Sequence, residues 1–150
     1  MLVLGVAGGT VIHQLCKMHT PARITGIELS ATHIQLAKDY FQLEYPKLEL
    51  IQSDARKWLE SCDDRFDYIV DAIFTHAEGD PERPYAADRS WSRLLAQHLE
   101  INGTLVQNHI DNCQSKRVLR YFSPGPFLGS AQKNMETKCW PGSNQAQDRH

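Results

Sequence analysis

The sequence predicts an α/β domain with a doubly wound, mostly parallel sheet enclosed between two helical layers, and three observations predict it. Short apolar runs alternate with helical-period stripes from residue 2 to about residue 108. The first apolar run opens into the glycine-rich turn Gly5-Val6-Ala7-Gly8-Gly9. The fourth run, Phe66 to Ile73, is apolar enough to be covered on both faces, as a central parallel strand is. Strands that alternate with helices need crossover connections, and those place consecutive strands parallel.

Taken in order, Leu2-Val3-Leu4 is a short buried strand, the glycines make the turn, and Val11, Ile12, Leu15 and Cys16 recur on one helical face. Pro21 closes that helix. Ile24, Gly26 and Ile27 form a second buried strand that stops at Glu28. Ser30 is placed to cap the next helix, in which Ile34, Ala37 and Phe41 keep helical spacing until Pro46. Leu48-Glu49-Leu50-Ile51 is the third strand, and Ser53-Asp54-Ala55 leads into a short helix that turns Trp58 and Leu59 to the core.

The fourth strand ends its apolar core at Asp71. Residues 75 to 88 are polar and carry Gly79, Pro81 and Pro84, so a loop is expected there. Trp91, Leu94, Leu95, His98 and Leu99 repeat as an amphipathic stripe, Asn102-Gly103 is expected to close that helix, and Thr104 to Asn108 is the fifth strand. Beyond it a helix is expected around 115 to 122 and a late strand from Met135 to Trp140, with residues 141 to 150 polar and frayed. The 150 residues suit one domain, 1–150, with 123–150 a weakly patterned tail.

Composition excludes several classes. A formal net charge of −2 gives no electrostatic footprint for nucleic acid or an anionic membrane. No apolar run approaches the roughly 18 residues of a bilayer span, and the start lacks the cationic and cleavage regions of a signal peptide. Cys16, Cys62, Cys113 and Cys139 form no close pair, which points to reduced thiols and a cytoplasmic setting. His13 and His19 are spaced poorly for a metal pair, and no metal site is expected.

In a doubly wound sheet of this Rossmann-like kind the ligand sits beyond the carboxyl ends of the strands. Four features fall there. The glycine turn permits close backbone approach, through Gly5, Ala7 and Gly9, and the helix after it directs amides toward a ligand. Glu28, about 20 residues on and followed by Leu29, can accept from both hydroxyls of a ribose, or it is a solvated strand-end carboxylate. Asp54 with Ala55 pairs an acceptor with a backbone amide, suited to the edge of an adenine, or it is a plain helix cap.

Asp71 could be a base, a cation ligand or a loop cap. Nearby, His76, Glu78, Asp80 and Arg83 could contribute acid, base or binding groups, although a polar loop is usually just solvated. Tyr85 either lines a pocket or pins the loop. His98 is expected to be a satisfied, partly buried histidine, and Trp58 and Trp91 to be core.

With these four in order, the chain resembles the spermidine synthase family and its methyltransferase-like relatives. The resemblance runs from Leu2 to about Asn108, through Val3-Leu4-Gly5-Val6-Ala7-Gly8-Gly9, Ile24-Thr25-Gly26-Ile27-Glu28-Leu29, Leu48-Glu49-Leu50-Ile51-Gln52-Ser53-Asp54-Ala55 and Phe66-Asp67-Tyr68-Ile69-Val70-Asp71-Ala72. It implies a cofactor of the S-adenosylmethionine, decarboxylated S-adenosylmethionine or methylthioadenosine type. Glu28 would then bind ribose, Asp54-Ala55 the adenine, and Asp71 would lie at the reaction centre.

The chain also departs from that family. Where the family's glycine loop carries an aspartate that grips the aminopropyl amine, this chain has Gly8; where its Asp-Ser-Ser-Asp segment supplies a second carboxylate, this chain has Phe74. Each charge-assisted contact is worth roughly 1.5 to 3 kcal/mol, so losing two argues against a polyamine synthase. The family's N-terminal β-rich lid has no counterpart here, and the tail is short for the remaining elements, so truncation at both ends or completion by self-association is expected.

The leading expectation is therefore an S-adenosylmethionine-dependent, methyltransferase-like enzyme with a small-molecule substrate. Aminopropyl transfer, with Asp71 as base and Glu78 or Asp80 binding the polyamine, is the alternative. A non-catalytic nucleoside-binding or scaffold domain is the third reading.

Overall fold

The computed structural model describes residues 1–18, 20–75, 82–85 and 88–109, together with the backbone of 134–139. The elements are β1 (Leu2–Leu4), α1 (Thr10–Met18), β2 (Ile24–Glu28), α2 (Ala31–Asp39), β3 (Leu48–Gln52), α3 (Ala55–Glu60), β4 (Phe66–Asp71), α4 (Arg89–Gln97), β5 (Leu99–His109) and β6 (Asn134–Cys139). The sheet order is β3-β2-β1-β4-β5-β6, and every neighbouring pair is parallel. This is the expected Rossmann-like, doubly wound arrangement. The helix expected at 115–122 and the polar end from 141 lie outside the described residues.

Alternation along the central strand builds the three layers. Leu2 and Leu4 enter one core cluster with Ala55 and Leu59 of α3 and Trp91 and Leu95 of α4. Val3 enters the other with Ile12 of α1 and Ala37 of α2. Since successive strand side chains face opposite ways, three consecutive apolar residues supply both faces. Each large side chain so buried contributes about 1.5–3 kcal/mol. The chain winds outward from β1 to β3 and then returns to β4, so the order reverses on either side of β1, where ligands of such sheets bind.

Three boundaries differ from the sequence-based expectation. The second helix stops at Asp39 because Gln42 adopts φ +50°, a left-handed turn that takes Phe41 off the helical stripe. The fourth strand ends at Asp71, two residues before its apolar run does. Asn102-Gly103 does not close α4. His98 caps that helix, its amide donating to Leu95 and Ala96 carbonyls, and its own carbonyl accepts from Phe66 N at 2.8 Å. Leu99 accordingly starts β5, and Asn102, at φ +65°, lies where the register with β4 shifts from Phe66↔Leu99 to Tyr68↔Thr104. A turn dipeptide here makes an irregularity inside a strand.

Candidate cofactor site

The carboxyl ends of β1, β2 and β4 are level, since Leu4 pairs with both Ile27 and Asp71. The glycine turn leaves β1 from this rim. Gly5 and Gly9 adopt φ +80° and +81°, and Ala7 φ +47°. A Cβ on Gly5 would stand 2.6 Å from the Ala72 carbonyl oxygen, so only glycine lets the turn pass this close to the end of β4.

Glu28 governs the turn. Its Oε2 accepts from the amides of Val6 (3.0 Å) and Ala7 (2.9 Å), and its Oε1 accepts from the amide of Ser30 (3.0 Å). Nδ1 of His33, on α2, lies 3.3 Å from the same Oε1. The residue is only 8% exposed. Two loop amides that the sequence left free for a ligand are therefore taken by this carboxylate, and what faces outward is the remaining backbone and Leu29, 65% exposed beside it. Ser30 caps α2 as expected, accepting from His33 N at 3.2 Å.

Asp54 caps α3: its Oδ1 accepts from Lys57 N at 3.0 Å, and its Oδ2 accepts from the Tyr85 hydroxyl at 2.6 Å. Burial pushes the Asp54 carboxyl up. The Tyr85 hydroxyl, the Lys57 and Arg56 amides and the Lys57 charge together outweigh it and hold the group below the usual carboxylate range. Burial and then the Asp54 carboxylate push the Tyr85 phenol up to about 12. The Tyr85 ring stacks on Trp91 with centroids 4.6 Å apart, and the Arg56 guanidinium lies over both rings. Tyr85 thus pins the loop. Ala55, the first residue of α3, is buried beneath.

Asp71 is fully buried, at 0% exposure. Its Oδ2 accepts from Arg83 at 2.5 Å, from Trp91 Nε1 at 2.8 Å and from Gln107 Nε2 at 2.9 Å, and its Oδ1 accepts from Ile73 N at 3.4 Å. Arg83 also donates to the Asn108 carbonyl, and the Phe74 ring lies 5.5 Å from its guanidinium. This narrows what was expected of Asp71. A carboxylate that accepts from a buried guanidinium and two further side-chain donors on one oxygen has the geometry of an ionic anchor.

The structure therefore brings together Gly5, Ala7, Gly9, Glu28 and Leu29 at one part of the rim, and links Asp54 to Asp71 through Tyr85, Trp91 and Arg83. His76, Glu78 and Asp80 lie outside the described residues. Gln107 escaped the sequence reading, although a glutamine among the apolar residues of a strand expected to be buried was the available signal. His98 is nearly buried and its Nδ1 lies 2.9 Å from the Asp64 carbonyl. His13 is engaged by the Tyr45 hydroxyl (2.8 Å) and the Phe41 carbonyl (2.9 Å).

Among the described residues no group of three or more His, Cys, Asp or Glu could hold a metal ion, and no helix is long and apolar enough to cross a membrane. A cavity of about 610 Å³ lined by Lys38, Leu43, Glu44, Tyr45, Pro46, Leu48 and Leu50 contains none of the candidate residues.

The rim's donor and acceptor set fits an adenosyl cofactor. It offers a buried carboxylate beside the glycine turn, an exposed apolar side chain next to it, and an anionic acceptor at the start of α3. Of the four contacts on Glu28, that of the half-exposed His33 is the longest and the one a sugar hydroxyl could replace.

Comparison with known proteins agrees. Residues 1–98 match the family described as methyltransferase domain. The chain is 29% identical over 108 residues to a probable polyamine aminopropyl transferase of Bifidobacterium longum, covering 71% of this chain and 23% of that protein. It is 29% identical over 124 residues to a polyamine aminopropyltransferase of Korarchaeum cryptofilum, covering 79% and 37%. It thus spans well under half the length of these curated relatives.

Among solved structures, human methyltransferase-like protein 13 in complex with SAH superposes with a TM-score of 0.65 at 16% identity, covering 80% of this chain and 59% of that one. A spermidine synthase in complex with the transition state analogue AdoDATO gives 0.62 at 13% identity, covering 81% and 43%. On its fold and the match over residues 1–98, the chain belongs to the methyltransferase-domain family.

Proposed function

We propose that this chain is the cofactor-binding core of an enzyme that methylates a small-molecule acceptor. The observation that carries this reading is the engagement of Asp71 by Arg83. Aminopropyl transfer needs a base for the attacking amine and anionic contacts for a polycationic substrate. Here the carboxylate in line for that work is neutralised. The position of the family's second carboxylate is Phe74, lying against a guanidinium, and the position of the loop carboxylate is Gly8.

When bound, the cofactor supplies an activated methyl group whose transfer is an in-line displacement, so positioning provides most of the catalysis. The chain's residues then act as follows. The turn through Gly5, Ala7 and Gly9 brings backbone close to the cofactor. Glu28 accepts from a ribose hydroxyl in place of His33, Leu29 offers an apolar face, and Asp54 with Ala55 reads the adenine edge. Asp71 borders the site and holds the loop that follows β4. Free thiols at Cys16 and Cys62 support a reducing, cytoplasmic setting.

The names of the two curated relatives favour aminopropyl transfer as the second reading. Calorimetric titration with S-adenosylmethionine, its decarboxylated form and methylthioadenosine separates the two. Binding of S-adenosylmethionine at least ten-fold tighter than the decarboxylated form, lost in Glu28→Ala, is the expected result. The reverse preference overturns methyl transfer in favour of the second reading, and no binding by any of the three overturns both.

A further inference from the structure

We propose that Tyr85 is a specificity-determining residue, one that makes the Asp54 subsite select an amino-bearing purine, adenine, over a purine with a carbonyl at the same position. This rests on the assignment of Asp54 to the adenine edge and extends it to a residue outside that assignment.

An ionised carboxylate is acceptor-only, with about four acceptor positions on two oxygens. Beside the Arg56 amide, Asp54 accepts from the Lys57 amide by Oδ1 and from the Tyr85 hydroxyl by Oδ2. These two contacts, on different oxygens, fix the rotation of the carboxylate and leave a defined acceptor for an exocyclic amine. A carbonyl oxygen in that place meets only lone pairs, and a site built for one hydrogen-bond pattern rejects the other more strongly than a site that can turn.

The hydroxyl is delivered by a rigid support. Tyr85 stacks on Trp91, which is 1% exposed and donates its indole N–H to Asp71; two residues before Tyr85, Arg83 is locked on the same carboxylate. The segment is therefore anchored at both ends, on Asp71 through Arg83 and on Asp54 through Tyr85, which makes it a fixed wall of the subsite and not a gate. The phenol is protonated throughout the neutral range, so Tyr85 is the donor of this pair.

The test is a calorimetric comparison of S-adenosylhomocysteine and S-inosylhomocysteine on the 150-residue chain, on Tyr85→Phe, on Asp54→Asn and on the double variant. Tyr85→Phe keeps the ring stack, and thermal melting shows whether each variant is folded. The wild type is expected to prefer the adenosyl ligand. In Tyr85→Phe its affinity falls about 5-fold to 10-fold, the loss of one hydrogen bond, and the adenosyl-to-inosyl ratio narrows by a similar factor.

Asp54→Asn collapses the ratio, and adding Tyr85→Phe to it changes little further. An unchanged ratio in a folded Tyr85→Phe variant overturns the proposal, as does tighter binding, which would make the hydroxyl a plug. A wild type that binds neither ligand overturns the cofactor assignment and this proposal with it. That failure shows in the wild type and so is distinguishable from failure of Tyr85 alone.

Discussion

The Oε2 atom of Glu28 lies 2.9 Å from the amide nitrogen of Ala7, so the carboxylate that ends β2 is a structural member of the turn that follows β1. It holds Val6 by the same oxygen and the start of α2 by the other, through Ser30. Glu28→Gln replaces one acceptor oxygen by an NH₂ group and turns it toward backbone donors. We expect a loss of about 1–3 kcal/mol in stability, measured by urea denaturation, together with weaker cofactor binding. Unchanged stability would show that the turn keeps its shape without the carboxylate.

Asp71 and Arg83 form a pair whose side chains are 0% and 2% exposed. Removing one partner leaves the other as an uncompensated buried charge, so Arg83→Met and Asp71→Asn should each cost about 3–5 kcal/mol. The double variant should cost less than the sum, because the second change removes the charge that the first one orphaned. Guanidinium denaturation followed by tryptophan fluorescence measures all three, and strict additivity would show that the two groups do not meet in solution.

The Asp54 and Tyr85 pair gives stability two pH-dependent limbs. The folded-state carboxyl of Asp54 is depressed, so its contribution is complete above the ordinary value of about 3.9 and is lost as pH falls through the lowered one. The phenol of Tyr85 is raised from 10.0 to about 12, so its contribution is complete below pH 10 and is lost as pH rises toward 12. Asp88 adds to the acid limb: burial pushes it up, but the Ser90 hydroxyl, the Ser90 and Trp91 amides and the Arg56 charge hold it down. Tyr85→Phe should flatten the alkaline limb and shrink the acid one, as read from melting temperatures between pH 3 and pH 12.

Two glycines of one turn should differ sharply in their response to alanine. Gly5→Ala puts a Cβ 2.6 Å from a backbone carbonyl at φ +80°, where neither partner can give, and should cost more than about 3 kcal/mol. At Gly8 the nearest atoms belong to the Phe41 ring at 3.2 Å, and that side chain is 55% exposed and can swing aside. Gly8→Ala should cost less than about 1 kcal/mol by thermal melting. Gly8→Asp should fold as well, and by calorimetry should shift preference toward decarboxylated S-adenosylmethionine.

Much of this was legible in the sequence because local periodicity and sheet geometry report the same thing. Leu2-Val3-Leu4, the five glycine-turn residues, Glu28 and the capping Ser30 and Asp54 are each read from neighbours a few positions away. What escaped depends on distant contact. Nothing local says that Phe41 leaves its helix to cover Gly8, since that follows from the left-handed turn at Gln42 and a carbonyl held by His13. Asn102-Gly103 has the chemistry of a helix end, and only pairing with β4 makes it a strand irregularity. Asp71 was visible as a strand-end carboxylate, but its three side-chain donors come from residues 83, 91 and 107, which no local pattern announces.

The strand order also has a bearing on how the chain is made. β1 is three residues long and central, with β2 on one side and β4 on the other. Its second neighbour is complete only at Asp71, and the side chains that donate to Asp71 arrive still later, up to Gln107. During synthesis the glycine turn can thus close on Glu28 while the opposite edge of the same strand still has open hydrogen-bonding groups. The first half of the nascent domain carries an exposed template for pairing until β4 has emerged, an edge on which such a chain is open to wrong partners.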